Sequence, residues 1–400
     1  VSGRKCRLMI GLLFVLLAGC GEIPTVPLLG QPTPTLAVSP SPPRPATLEE
    51  YPPPATPEAP PPPTTDPTTL PAPALLAQPV PEEWRTGERI AFLKGGNLWL
   101  AVPDGSVQVQ VSASGNVTAL YGWSYDCSQL LLGIGEWSAL PETDVPGGRD
   151  LWILPVSDVE AYPVIQGQEV LHAAWSPASD LIAYHTADGN LYVTDSSVGV
   201  YRALLDDHSS TFVGAWSPDG TKIAFPRLTT SGEYWLNLAI LDLATGSVLP
   251  TREEHRVDAS PYVWSVDGSQ ILFQSGPSES SLWRYLDVEK NEIVPIQSEG
   301  LDQFVVNATG LSRSPVADQV AFGYYRLVTD VPAVWVMDLD GGNLRRLTDG
   351  IYPVWSPDGQ KIAHTGTDGG LWVINLDGGG AIQITGPNQV RTAYEPCWCR

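Results

Sequence analysis

Trp216-Ser-Pro-Asp-Gly-Thr-Lys-Ile-Ala-Phe225 and Trp355-Ser-Pro-Asp-Gly-Gln-Lys-Ile-Ala-His364 are two copies of one ten-residue phrase. Degenerate copies begin at Trp123, Trp175 and Trp264, and Arg313-Ser-Pro-Val-Ala-Asp-Gln-Val-Ala-Phe322 keeps the frame without the tryptophan. Trp84 to Phe92 is a copy one residue short, and Trp398 stands where an eighth would begin. The successive spacings are 39, 52, 41, 48, 49, 42 and 43 residues, seven intervals averaging about 45. A regular period of this size marks stacked repeats, none of which can bury its apolar surface alone.

Each interval has the same internal order. Pro-Asp-Gly joins two alternating apolar runs, because Asp and Gly adopt the backbone angles of a tight hairpin. A second apolar pattern follows, such as Leu98-Trp99-Leu100, Leu151-Trp152-Ile153, Leu191-Tyr192-Val193 or Leu371-Trp372-Val373. Then come another turn, as in Asp338-Leu-Asp-Gly-Gly342, and a short last run, as in Leu344-Arg-Arg-Leu-Thr348. Four short strands per unit without a helical period predict an all-β protein, a seven-bladed β-propeller of four-stranded antiparallel blades over 84–398. A tryptophan wedged between blades contributes about 4–6 kcal/mol as an upper estimate from its area, so the periodic rings belong to the core. Trp137 alone falls outside the pattern.

The units resemble the WD40-like repeats of the TolB family of bacterial propellers, whose signature is Trp-Ser-Pro-Asp-Gly followed by Ile-Ala-Phe. In that family the strand ending at the tryptophan is the innermost of its blade. The resemblance therefore implies that the strand near 393–398 supplies the inner strand of the blade that begins at Trp84, closing the ring and removing both free edges. The family's name-giving protein is soluble and six-bladed, with an added N-terminal domain. Its fold, rather than its particular docking partner, is what the resemblance carries over.

The remaining sequence reads as an address and a tether. Arg4, Lys5 and Arg7 precede an apolar run from Leu8 to Ala18. As a helix it would reach about 16 Å, roughly half a bilayer's hydrocarbon thickness, which fits a secretory signal and not a membrane span. Leu17-Ala18-Gly19-Cys20 resembles the lipobox of bacterial lipoproteins. That resemblance implies a signal peptide over 1–19, acylation of Cys20 and extracytoplasmic anchoring to the cell membrane, at the outer surface or on the periplasmic side. Residues 21–83 hold 21 of the 39 prolines and none of the 14 tryptophans. Such a composition favours extended polyproline conformation, so 20–83 is expected to be a lipidated Pro/Thr-rich linker. Beyond Cys6 and Cys20, three cysteines remain: Cys127, Cys397 and Cys399. They read as incidental; at most one disulfide can form among them, with Cys127 closing on either Cys397 or Cys399 left to geometry.

Charge and motifs narrow the function. With 44 Asp+Glu against 22 Lys+Arg and a formal charge of −22, the chain repels phosphate backbones, and nucleic acid is not an expected partner. No Gly-x-Ser-x-Gly elbow is present, and the five histidines show no metal-ligand spacing. Neither a catalytic constellation, a metal nor a cofactor is expected. In a propeller the first-to-second and third-to-fourth hairpins share one face, and the variable loops share the other. Function concentrates on variable loops over a rigid scaffold. The longest presents Trp137 with Glu136, Glu142 and Asp144, an aromatic with carboxylates suited to a protein hot spot or a glycan. Tyr121, His172, Phe212, Tyr262, Tyr352 and Tyr394 fall near the starts of the inner strands on that face, with alternation expected to hide about half of them. The expectation is a membrane-anchored extracytoplasmic scaffold that binds an envelope or extracellular protein. The alternative is a propeller enzyme or glycan-binding protein working through the channel mouth.

Overall fold

The computed structural model of the 400-residue chain describes residues 87–135, 149–157, 160–196, 201–205, 214–228, 236–251, 262–275, 282–296, 309–324, 331–390 and 396–399. The expected signal and tether lie outside the described residues. The alternating apolar runs form short antiparallel strands, and among the described residues there is no helix.

In chain order, β1 (Arg89–Lys94), β2 (Asn97–Ala101) and β3 (Gln108–Gln110) form a meander. β4 (Val117–Trp123), β5 (Gln129–Ile134) and β6 (Arg149–Pro155) lead into the long β7 (Tyr162–Trp175), followed by β8 (Leu181–Thr186), β9 (Leu191–Asp195) and β10 (Tyr201–Leu205). Four meanders come next. The first is β11 (Ala215–Trp216), β12 (Lys222–Leu228), β13 (Leu236–Asp242) and β14 (Val248–Pro250). The second is β15 (Val263–Trp264), β16 (Gln270–Ser275), β17 (Leu282–Asp287) and β18 (Glu292–Pro295). The third is β19 (Thr309–Arg313), β20 (Gln319–Tyr324), β21 (Ala333–Asp338) and β22 (Arg345–Asp349). The fourth is β23 (Ile351–Trp355), β24 (Lys361–Thr365), β25 (Leu371–Asn375) and β26 (Ile382–Gln383). β27 (Cys397–Cys399) returns to β1, giving the order β27-β1-β2-β3. Its register pairs Ile90 with Trp398 and Ala91 with Cys397, so the closing strand lies where the family resemblance implies it.

One departure from the strand-by-strand expectation is β7. The sequence suggests two strands there, but Tyr162–Trp175 runs as one, pairing with β6 through its first part and with β8 from Val170 onward. β4 to β10 consequently form a single seven-stranded sheet. The link between the two parts is too short to leave the sheet; Gly167 (φ 69°) and Glu169 (φ 50°) turn it locally instead.

Each residue of the repeated phrase has a place in the turn it builds. The serine is buried behind that turn: Ser356 Oγ donates to Asp358 Oδ1 at 2.6 Å and accepts the Lys361 N–H at 2.8 Å. The aspartate in turn accepts the Gln360 N–H at 3.0 Å. The same pattern recurs at Ser217/Asp219, Ser265/Asp267 and Ser124/Asp126. The glycine takes the left-handed conformation, with φ of 68° at Gly220 and 70° at Gly359. Cys127 occupies that glycine's place, with φ 62°.

The tryptophans join one blade to the next. Trp123, Trp216, Trp264 and Trp355 are buried, and their indole N–H groups donate across to Cys397 O (3.1 Å), Ala174 O (3.2 Å), Ala215 O (2.9 Å) and Ser312 O (3.1 Å). Each acceptor directly precedes the tryptophan-frame residue of the neighbouring inner strand. The core lies between sheets for the same reason. Ala224, Leu238 and Ile240 of one sheet pack against Trp264, Ile271 and Phe273 of the next. A disulfide joins Cys127, in the β4–β5 turn, to Cys399 of the closing strand, with a Cα–Cα distance of 5.8 Å. Of the two pairings open to the sequence, Cys127–Cys399 is the one that forms.

Candidate functional site

The meander order puts the first-to-second and third-to-fourth hairpins on one face, and the second-to-third loops and sheet-to-sheet links on the other. The loop carrying Glu136, Trp137, Glu142 and Asp144 lies outside the described residues, as do Phe212 and Tyr394. Its base is described. Ile134 pairs with Asp150, which brings the two ends of the loop together on adjacent strands. Asp150 is itself buried. Desolvation raises its carboxyl above the ordinary range, against a 2.8 Å hydrogen bond that Oδ1 accepts from the Gly167 N–H. The sequence pattern does not single it out. The one available signal is a carboxylate placed immediately before an apolar strand rather than within a turn.

The inner-strand candidates separate into two groups. Tyr121 on β4 and His172 on β7 meet edge to face, their ring centroids 5.9 Å apart at an interplanar angle of 76°. Both are half-buried, and His172 sits opposite the buried His185 on β8. A register shift between Val170 and His172 and another between Leu120 and Gly122 accompany this pair, so strict alternation fails where these side chains emerge. Tyr352 is half-buried on β23 and holds a left-handed φ of 53° beside a similar shift between Ile351 and Val354. Tyr262 belongs to the packing group: it is buried, with its ring centroid 6.4 Å from that of Phe273. The half-buried set offers aromatic edges and an imidazole, chemistry suited to stacking and hydrogen bonding. Among the described residues, no three His, Cys, Asp or Glu side chains are grouped to hold a metal ion.

No family model matches the chain. An uncharacterized protein of Agrobacterium fabrum is 28% identical over 192 residues, which is 44% of this chain and 60% of that relative. The chain thus spans less than two thirds of the length of the curated relative it matches. Among solved structures, TolB from Acinetobacter baumannii superposes with a TM-score of 0.50 at 18% identity, over 82% of this chain and 88% of that one. The tricorn protease matches with a TM-score of 0.55 at 11% identity, covering 78% of this chain and 34% of the protease. Oligogalacturonate lyase in complex with manganese matches at 0.52 and 15%, over 75% and 84% of the two chains. Identities this low speak for the fold alone, and together with the closed order of sheets they show that this chain has the TolB-like β-propeller fold.

Proposed function

We propose that this chain is a lipid-anchored, seven-bladed propeller that works outside the cytoplasm as a non-catalytic scaffold for an envelope or extracellular protein. Seven tryptophan-frame inner strands support the blade count, with β7 serving both units of the seven-stranded sheet. Leu17-Ala18-Gly19-Cys20 supports lipid on Cys20, and the proline content of 20–83 supports a tether that holds the propeller, 84–398, away from the membrane. The observation that carries the reading is the Cys127–Cys399 disulfide, because such bonds persist in oxidising compartments and are rare in the cytosol. A rigid ring closed in this way is suited to holding variable loops in fixed positions.

The candidate contact residues are Trp137 with Glu136, Glu142 and Asp144, and beside the inner strands Tyr121, His172 and Tyr352. Affinity capture from the native envelope with the full chain tests this directly. Wild-type protein is expected to retain a partner that Trp137→Ala loses, since truncating a hot-spot aromatic weakens binding by roughly tenfold or more. Capture of the same partners by both proteins would remove the loop from the reading. Separately, Cys20→Ala is expected to move the protein from the membrane to the soluble fraction.

A second reading, a glycan seated at the channel mouth, is favoured by the Tyr121–His172 pair and by the fold shared with oligogalacturonate lyase. Titration with oligouronides distinguishes the two. Saturable binding that is lost in Tyr121→Ala and unaffected in Trp137→Ala favours the glycan.

A further inference from the structure

The face opposite the paired ends of β5 and β6, Ile134 and Asp150, carries a second surface. Among the described residues, three exposed large apolar side chains stand at the tips of first-to-second hairpins: Tyr125 (53% exposed), Val266 (40%) and Val316 (59%). Tyr125 and Val266 occupy the proline position of the repeated phrase, and Val316 follows Pro315. Tight turns need no such side chains in water, and two of them, Val266 and Val316, stand on neighbouring turns.

Neighbouring tips touch along most of the ring. A side chain at Gly220 would meet Ala178 Cβ at 3.2 Å, one at Gly268 would meet Pro218 Cδ at 3.7 Å, and one at Gly359 would strike Val316. The Val266 N–H donates to Asp318 Oδ1 at 2.8 Å, tying the β15–β16 turn to the β19–β20 turn. The tips from the β7–β8 turn to the β23–β24 turn therefore form one continuous rim. It is interrupted where β27 and β1 pair without a hairpin, and the turn carrying Tyr125 is fastened across that gap by the disulfide.

The charge on this rim is one-sided. Asp126, Asp180, Asp219, Asp267, Asp318 and Asp358 are all exposed on these turns, against the half-buried Lys222, Arg313 and Lys361 that flank them. Serine hydroxyls and backbone amides hold the carboxyls of Asp219, Asp267 and Asp358 below the ordinary range, Asp267 at about 2, so they stay ionised through neutral and mildly acidic pH. An acidic surface repels anionic lipid headgroups, nucleic acid and a second copy of this −22 chain alike. It attracts a cationic polypeptide, while the aliphatic tips supply the area that such a partner would desolvate.

We propose that the hairpin-tip rim centred on Val266 and Val316 is a docking surface for a polypeptide segment carrying lysine or arginine next to aliphatic side chains. This surface is separate from the Trp137 loop and goes beyond the scaffold reading, so either can fail alone. The test uses the full chain, a fluorescently labelled lysine/leucine peptide and a glutamate/leucine peptide of equal length, read by anisotropy. Only the lysine peptide is expected to bind. The double substitution Val266→Lys with Val316→Lys is expected to weaken it by roughly tenfold or more. Leu249→Lys with Ile382→Lys adds the same charge at exposed positions on outer strands and is expected to leave binding within about twofold of wild type. Trp137→Ala is expected to bind the peptide as wild type does. Equal losses in the two lysine pairs, equal binding of both peptides, or no binding at all would overturn the proposal.

Discussion

His364 stands where Phe225, Phe273 and Phe322 stand in other copies of the phrase. Its side chain is 3% exposed. Gly350, at φ 140°, makes room for the ring, since a Cβ there would lie 2.6 Å from His364 Cδ2. Burial pushes the imidazole down to about 4, while backbone hydrogen bonds at Ile362 and Asp349 and the Asp368 carboxylate pull it partly back. The unfolded chain therefore binds a proton below about pH 6.5 that the folded protein refuses until about pH 4. Stability from this residue is fully present above the upper value and falls as pH drops through that window, by at most on the order of 3 kcal/mol. His364→Phe is expected to flatten this part of the profile, as read from urea midpoints at neutral pH and near pH 4.5. Parallel profiles for the two proteins would refute the assignment. The phrase alone places position 364 in the core, but the depressed imidazole depends on what the β22–β23 corner sets against it.

At the scale of the strand, the four inter-sheet indole hydrogen bonds give the repeated tryptophan a directional role beyond its area. Trp264 and Trp175 differ in that role. Trp264 donates to Ala215 O at 2.9 Å, whereas Trp175 Nε1 is buried without a partner. Trp264→Phe is expected to cost about 1–3 kcal/mol more than Trp175→Phe, because only the first removes a made hydrogen bond from a buried site. Chemical denaturation of the two variants measures the difference, and equal losses would show that ring area alone matters. Strand positions and turn types are readable from the sequence, since alternation and Asp-Gly chemistry act between residues close along the chain. The fusion within β7 is not, because the four-residue link from Gln166 to Glu169 looks locally like any other connection. The candidate site is legible in part. Tyr121, His172 and Tyr352 emerge beside register shifts that no periodicity displays, and Tyr262 is drawn into the packing against Phe273.

For the molecule as a whole, closure depends on two devices at one seam: the β27–β1 pairing and the Cys127–Cys399 bond, whose partners are 272 residues apart. Constraining so long a loop in the unfolded state stabilises the native ring, and Cys127→Ser is expected to lower stability by about 2–5 kcal/mol. Thermal unfolding with and without reductant checks this. Reduced wild type is expected to fall toward the variant, and a wild type indifferent to reductant would rule out the bond's contribution. The amino-acid sequence by itself determined the strands, the hairpins and the tryptophan core, because each follows from short-range patterning repeated at a fixed period, while the closing segment was implied by the family resemblance. Only the tertiary structure decided which cysteine joins Cys127, which aromatic rings meet and which turn tips touch. Those outcomes rest on the packing of units far apart along the chain, where spacing in sequence carries no distance in space.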